Sequence, residues 1–130
     1  MSRKKILILD DDAWQAESFA QILCAEFSVR IVNDVEECLG ALELWQPDIL
    51  LADVILGAKN VITLLNEMQS YVDTRSLPVV ILSAIAKKIN FDDVRSLGVR
   101  ALLDKTSVTP ETLRTCLHNI RLEPIVTSNE

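Results

Sequence analysis

Four apolar runs in this chain each lead into polar residues. Ile6-Leu7-Ile8-Leu9 runs into Asp10-Asp11, and Ile49-Leu50-Leu51-Ala52 into Asp53. Val79-Val80-Ile81-Leu82 runs into Ser83, and Ala101-Leu102-Leu103 passes through Asp104 into Lys105. Short continuous apolar runs that alternate with helical patterns predict buried parallel strands. A fifth strand is predicted around Val29 and Ile31, which alternate with polar neighbours as on a sheet edge.

Helical spacing fills the gaps. Phe19, Ile22, Leu23 and Phe27 form a stripe behind a D-x-x-Q capping signal, Asp12 and Gln15. Asp34 and Glu37 cap a second helix carrying Val35, Leu39, Leu42 and Trp45, which Pro47 stops. A loop through Gly57 leads to a third helix from about Val61, with Ile62, Leu65 and Met68 on one face. Ser70 to Pro78 connects to the next strand. Asn90 and Asp93 cap a fourth helix through Leu97, ended by Gly98. Thr109-Pro110-Glu111 starts a fifth, with its stripe at Leu113, Leu117 and Ile120. Residues 122–130 are polar, contain Pro124 and read as a loose tail. The expectation is therefore an α/β domain over residues 1–121, with a doubly wound five-stranded parallel sheet and five helices. Right-handed crossovers and the edge character of the second strand favour the order 2-1-3-4-5.

Composition narrows the function classes. With 130 residues and 49% hydrophobic content the chain can bury one full core. No apolar run is long enough to cross a bilayer, and the basic start, Met1 to Lys5, precedes a short strand instead of a signal-peptide apolar region. A net charge of −6 argues against general nucleic-acid affinity. Cys24, Cys38 and Cys116 are scattered in helical patterns and read as buried free thiols of a reducing cytoplasm.

In open parallel sheets, ligands bind at the carboxyl ends of the strands, at the switch point. Asp10, Asp11 and Asp53 should meet there, with Ser83 and Lys105 beside them. Like charges about 4 Å apart repel by roughly 4 kcal/mol at an effective dielectric near 20, so converging carboxylates need a cation. All-oxygen ligation with room for water suits Mg²⁺ (or Mn²⁺). Metal, ammonium and hydroxyl around a free carboxylate are what phosphoryl transfer to that carboxylate needs.

The strings ILILDDD, ILLADV, VVILSA and ALLDK, in that order, resemble a bacterial two-component response-regulator receiver domain over nearly the whole chain, a chemotaxis-receiver-like family with a flavodoxin-like fold. The resemblance implies that Asp53 is phosphorylated by a histidine kinase or phosphotransfer protein. It implies that Asp11 binds the metal directly, Asp10 largely through water, and that Asp53 and the backbone carbonyl of Ile55 complete the protein ligands. Ser83 would bond a phosphoryl oxygen and re-orient; Lys105 would pair with Asp53 and then with the phosphoryl group. Such a domain is a phospho-acceptor, not an enzyme in the usual sense, and it assists its own phosphorylation and weak self-dephosphorylation. It is cytoplasmic, signals through protein contacts, touches neither nucleic acid nor membrane directly, and can form a homodimer through helix four, strand five and helix five.

The chain departs from the family pattern in places. Gly57 and Val61 stand where Pro and Gly are frequent, which implies a more flexible, differently shaped loop. Leu102 replaces the usual aromatic three residues before the lysine, and Thr106 replaces a proline that often follows a cis bond. A cis bond before a non-proline costs about 2.5–4 kcal/mol, so trans is expected. Ile55 and Ile85 flank the path of the hydrolytic water and can neither orient nor deprotonate it.

Other residues read more plainly. Asp12 is a helix cap, Asp104 a solvent-facing strand end, Lys87-Lys88 a solvated loop, and His118 a surface residue away from the site. Trp14 is either partly exposed beside the acidic pair or packed. Two further functions stay open. One is a receiver that acts only as a phosphorylation-independent docking module. The other is a Mg²⁺ phosphohydrolase with Asp10 as nucleophile in a D-x-D motif with Asp12.

Overall fold

Each apolar run forms a strand in the computed structural model, which describes residues 3–56 and 59–121. The sheet strands are β1 (Lys5–Leu9), β2 (Ser28–Val32), β3 (Ile49–Ala52), β4 (Val79–Ser83) and β5 (Val99–Asp104). All pair in parallel, in the order β2-β1-β3-β4-β5. The helices are α1 (Ala13–Leu23), α2 (Val35–Leu44), α3 (Val61–Met68), α4 (Phe91–Arg95) and α5 (Pro110–Asn119). The expected doubly wound topology is the one found. The expectations for the loop at Gly57 and for the tail 122–130 fall outside the described residues.

The central strands are apolar throughout because both sheet faces are covered. Leu7, Leu9, Leu50, Ala52, Val79 and Ile81 join a core with residues of α2, α3 and α4. Their alternating neighbours Ile6, Ile8, Ile49, Leu51, Val80 and Leu82 join a second core with Ala16, Leu23, Leu113 and Leu117 of α1 and α5. Edge strand β2 has only Val32 fully covered, with Val29 and Ile31 half-buried, as its alternation predicts.

Helix starts follow the capping signals. Asp12 accepts from the Gln15 amide, Asp34 from Glu37, Asn60 from Ile62, Asn90 from Asp92 and Thr109 from Thr112. Glu37 reaches back to the Asn33 amide at 2.9 Å, one residue before the cap. At the far end of the molecule, Lys4 Nζ donates to the carbonyls of Leu117, His118 and Ile120 at 3.0, 2.8 and 2.9 Å. These carbonyls have no partner further along the helix, and the ammonium also offsets the negative end of the helix dipole.

Several expectations need correction. Helix α4 ends at Arg95, not Leu97, and a turn carries the chain to Gly98 at φ 91°. A Cβ there would lie 3.2 Å from the Leu77 carbonyl oxygen, so glycine is required on both counts. Ile55–Leu56 pairs antiparallel with Lys59–Asn60, a two-residue ladder that the sequence did not signal because it is too short for periodicity. Leu39 was placed in the α2 stripe but is 39% exposed. Cys38 is buried and Cys116 half-buried, whereas Cys24 is exposed: it follows Leu23, which points into the core, and so turns outward. No helix among the described residues is long and apolar enough to cross a membrane.

Candidate functional site

Backbone ladder bonds carry the polar strand ends to one place. The Asp10 amide donates to the Val32 carbonyl at 3.1 Å, the Asp53 amide to Leu9 at 3.0 Å, and the Lys105 amide to Ser83 at 3.1 Å. Register therefore fixes Asp10 after β1, Asp53 after β3, and Ser83 beside Asp104. Asn33, just past β2, adds a clamp that the sequence reading missed: its amide nitrogen donates to the Asp10 carbonyl at 3.0 Å.

Lys105 is the hub. Its Nζ lies 2.7 Å from Asp10 Oδ2 and 2.8 Å from Asp53 Oδ2. The three side chains are 8%, 4% and 14% exposed, respectively, so the charges meet largely out of water. Burial alone would lower the Lys105 pKa. The hydrogen bonds and charges of Asp10 and Asp53 outweigh it and hold the ammonium above the usual lysine value. The Lys105–Asp53 contact was expected. The equally short contact to Asp10 was not, because sequence reading assigned Asp10 to a metal and gave no reason to seek a second use.

The remaining carboxylate oxygens are also engaged. Asp10 Oδ1 accepts from the Asp12 amide at 2.9 Å, and Asp53 Oδ1 from the Ile55 amide at 3.2 Å. Asp11 projects into solvent, and Ser83 is 2% exposed with its Oγ accepting from the Ile85 amide at 3.3 Å. That bond uses a lone pair and leaves the hydroxyl proton for an acceptor. Ile55 is 45% exposed; Ile85 and Leu102 are half-buried.

Asp104 is not the solvent-facing residue expected. Its side chain is 14% exposed, accepts from the Thr106 amide at 2.8 Å and hydroxyl at 2.6 Å, and lies 3.8 Å from Lys87 Nζ. The Thr106 hydroxyl bond, then the amide bond and Lys87, hold its carboxyl below the usual range. Thr106 thus closes the turn after β5, and no peptide bond among the described residues is cis. Trp14 is 81% exposed at the start of α1. His118 lies at the opposite end, half exposed, paired with Glu26 and tilted on the Phe27 ring.

The donors that could hold a metal are oxygens: the carboxylates of Asp10, Asp11 and Asp53 and the carbonyl of Ile55. Among the described residues, no three His, Cys, Asp or Glu side chains form a ready group for a metal ion. Two of these carboxylates share an ammonium and the third meets water. An open, hard-oxygen set completed by water and ligand oxygens fits Mg²⁺ by donor type.

A family model described as the response regulator receiver domain matches residues 6–118. The transcriptional regulatory protein CpxR of Klebsiella pneumoniae is 31% identical over 118 residues, covering 90% of this chain and 47% of CpxR. The chain spans less than half the length of the curated relatives it matches. Among solved structures, a sensor protein from Polaromonas sp. JS666 superposes with a TM-score of 0.82 at 24% identity, covering 89% of this chain and 94% of that one. A CheY-like receiver domain from Methylobacillus flagellatus gives 0.78 at 19% identity, covering 94% and 100%. At those identities the superpositions speak for the fold alone. The family match spans all five strands and their polar ends, and the chain belongs to the response regulator receiver domains.

Proposed function

We propose that this domain accepts a phosphoryl group on Asp53 from the phosphohistidine of a histidine kinase or phosphotransfer protein, and signals through protein contacts. The observation that carries the reading is the Lys105 ammonium shared between Asp10 and Asp53, delivered from three strand ends.

An Asp53 carboxylate oxygen forms the new O–P bond as the donor's P–N bond breaks. The departing imidazole keeps the electron pair and takes a proton from solvent. Lys105, already at Asp53, stays within reach of the phosphoryl oxygens and stabilises their charge. The Ser83 hydroxyl donates to one of them, and this exchange re-orients it. Asp10, Asp11, Asp53 and the Ile55 carbonyl would hold Mg²⁺ (or Mn²⁺), which supplies further charge neutralisation when bound. Asp10 fits the role of a nucleophile less well than Asp53, since its side chain is 4% exposed against 14%.

Ile55 and Ile85 offer an attacking water neither a base nor a hydrogen-bond acceptor on their side chains, so the acyl phosphate is long-lived. Leu102, in place of the aromatic, leaves the output to other groups on α4, β5 and α5, the face through which a homodimer would form. The phosphodonor places the domain in the cytoplasm.

The test is intact mass after incubation with acetyl phosphate and Mg²⁺. Wild type should gain one phosphoryl group, EDTA should prevent it, and Asp53→Asn should show none. A gain that persists in Asp53→Asn refutes the site. No gain in wild type favours a phosphorylation-independent docking module. Loss of the phosphoryl group within seconds in Mg²⁺ buffer refutes the role given to the isoleucines.

A further inference from the structure

Large apolar side chains that remain exposed on this domain fall in two places. Trp14 and Ile55 lie around the acidic strand ends. The other four among the described residues, Leu39, Leu44, Tyr71 and Val72, lie on α2 and just past α3, at 39%, 86%, 58% and 62% exposure. Leu39 and Tyr71 line a cleft of about 640 Å³ between these segments. Its deeper wall is Leu42, Met68 and Leu77, which belong to or pack against the sheet core.

Glu43, Glu67 and Asp73 also line the cleft, and all three are exposed. No lysine or arginine is among its described lining residues. The ion pairs of the described residues do not include these three carboxylates. Apolar walls under an uncompensated acidic rim are complementary to an amphipathic helix with basic flanks, which lays its apolar face into a groove. The acidic rim repels carboxylate-rich segments, and the whole chain carries −6.

The cleft is also remote from the acidic strand ends. Pro47 and Leu77 precede β3 and β4, whereas Asp53 follows β3. At about 3.3 Å per strand residue, the length of β3 separates the two, which lie at opposite ends of the strands.

We propose that the cleft between α2 and the end of α3 docks a cationic amphipathic helix of a partner protein. The probe is a fluorescently labelled peptide with leucines at i, i+3, i+4 and i+7 and lysines elsewhere, titrated with the 130-residue chain. Anisotropy should report binding that a peptide of the same composition in scrambled order lacks. Glu43→Lys with Glu67→Lys should weaken binding about tenfold or more, while Glu111→Lys on exposed α5 changes it less than about twofold. In wild-type protein, amide signals of α2 and of residues 67–77 should shift, without relying on any variant. Equal binding of the scrambled peptide overturns the proposal, as do shifts confined to other faces. A wild-type dimer that Tyr71→Arg converts to monomer also overturns it, since the face would then serve a second copy.

Discussion

Replacing Lys105 by methionine keeps an unbranched side chain of similar shape, without the terminal ammonium, and removes its charge. Two ammonium–carboxylate bonds of 2.7 and 2.8 Å disappear. Asp53, at 14% exposure, can recover water at its edge, but Asp10, at 4%, cannot do so without opening the strand ends. Stranding one member of a buried pair costs about 3–5 kcal/mol, and the freed Asp53 offsets little of it, so a loss of about 3 kcal/mol is expected at pH 7. With an m-value of about 2 kcal/mol/M, the urea midpoint should fall by about 1.5 M. The measurement is urea unfolding followed by circular dichroism in EDTA, so that no divalent cation replaces the ammonium.

The pH dependence gives a second check. In wild type the raised lysine pKa contributes stability that is present below the ordinary lysine value and lost as pH rises through the folded one. It therefore changes nothing between pH 7 and pH 5. Adding Asp10→Asn to the variant removes the stranded charge and should recover about 1 kcal/mol or more at pH 7. A Lys105→Met protein as stable as wild type at pH 7 refutes the argument.

Gly98→Ala forces a Cβ to 3.2 Å from the Leu77 carbonyl at φ 91°, and calorimetry should show a loss of about 1–3 kcal/mol. Asp34→Ala removes the acceptor of the Glu37 amide and should lower stability by about 1 kcal/mol in the same urea assay. Burial pushes the Cys38 thiol up to about 12, so iodoacetamide at pH 8 should label exposed Cys24 and reach Cys38 only in urea, as peptide mapping would read. Because folded Cys38 stays protonated while the unfolded chain ionises, its contribution to stability is full below the ordinary thiol value and falls as pH rises from about 9 toward 12.

The strands, their order and most helix starts were legible because each rests on a local rule. A run such as Ile49 to Ala52 can be apolar throughout only where both faces are covered, and Asp34 three residues before Glu37 is a cap wherever a helix follows. The meeting of Asp10, Asp53 and Lys105 was legible for the same reason, since parallel pairing brings these strand ends together; Asp11, expected to join them, projects into solvent instead. What remained hidden depends on contacts between distant segments or on very short ones. Nothing near Asn33 says that it will clamp the Asp10 carbonyl. The Lys105–Asp10 bond spans 95 positions of chain. Asp104 looked solvent-facing because its partner, Thr106, was judged only as a substitute for proline. Leu39 has the spacing of a core residue, but the α2 surface that it faces ends in an open cleft.

The Lys4 ammonium, gripping the carbonyls of Leu117, His118 and Ile120, has a consequence for how the chain can be re-cut. Residues 4 and 120 are held side by side by a single group, so a short linker could join them covalently without disturbing the sheet. New ends could then be opened in the exposed connection around Tyr71 to Asp73, where the backbone lies outside every strand. Such a circular permutant would keep every strand neighbour and change only the order in which the ribosome delivers them, with β4 and β5 made before β1, β2 and β3.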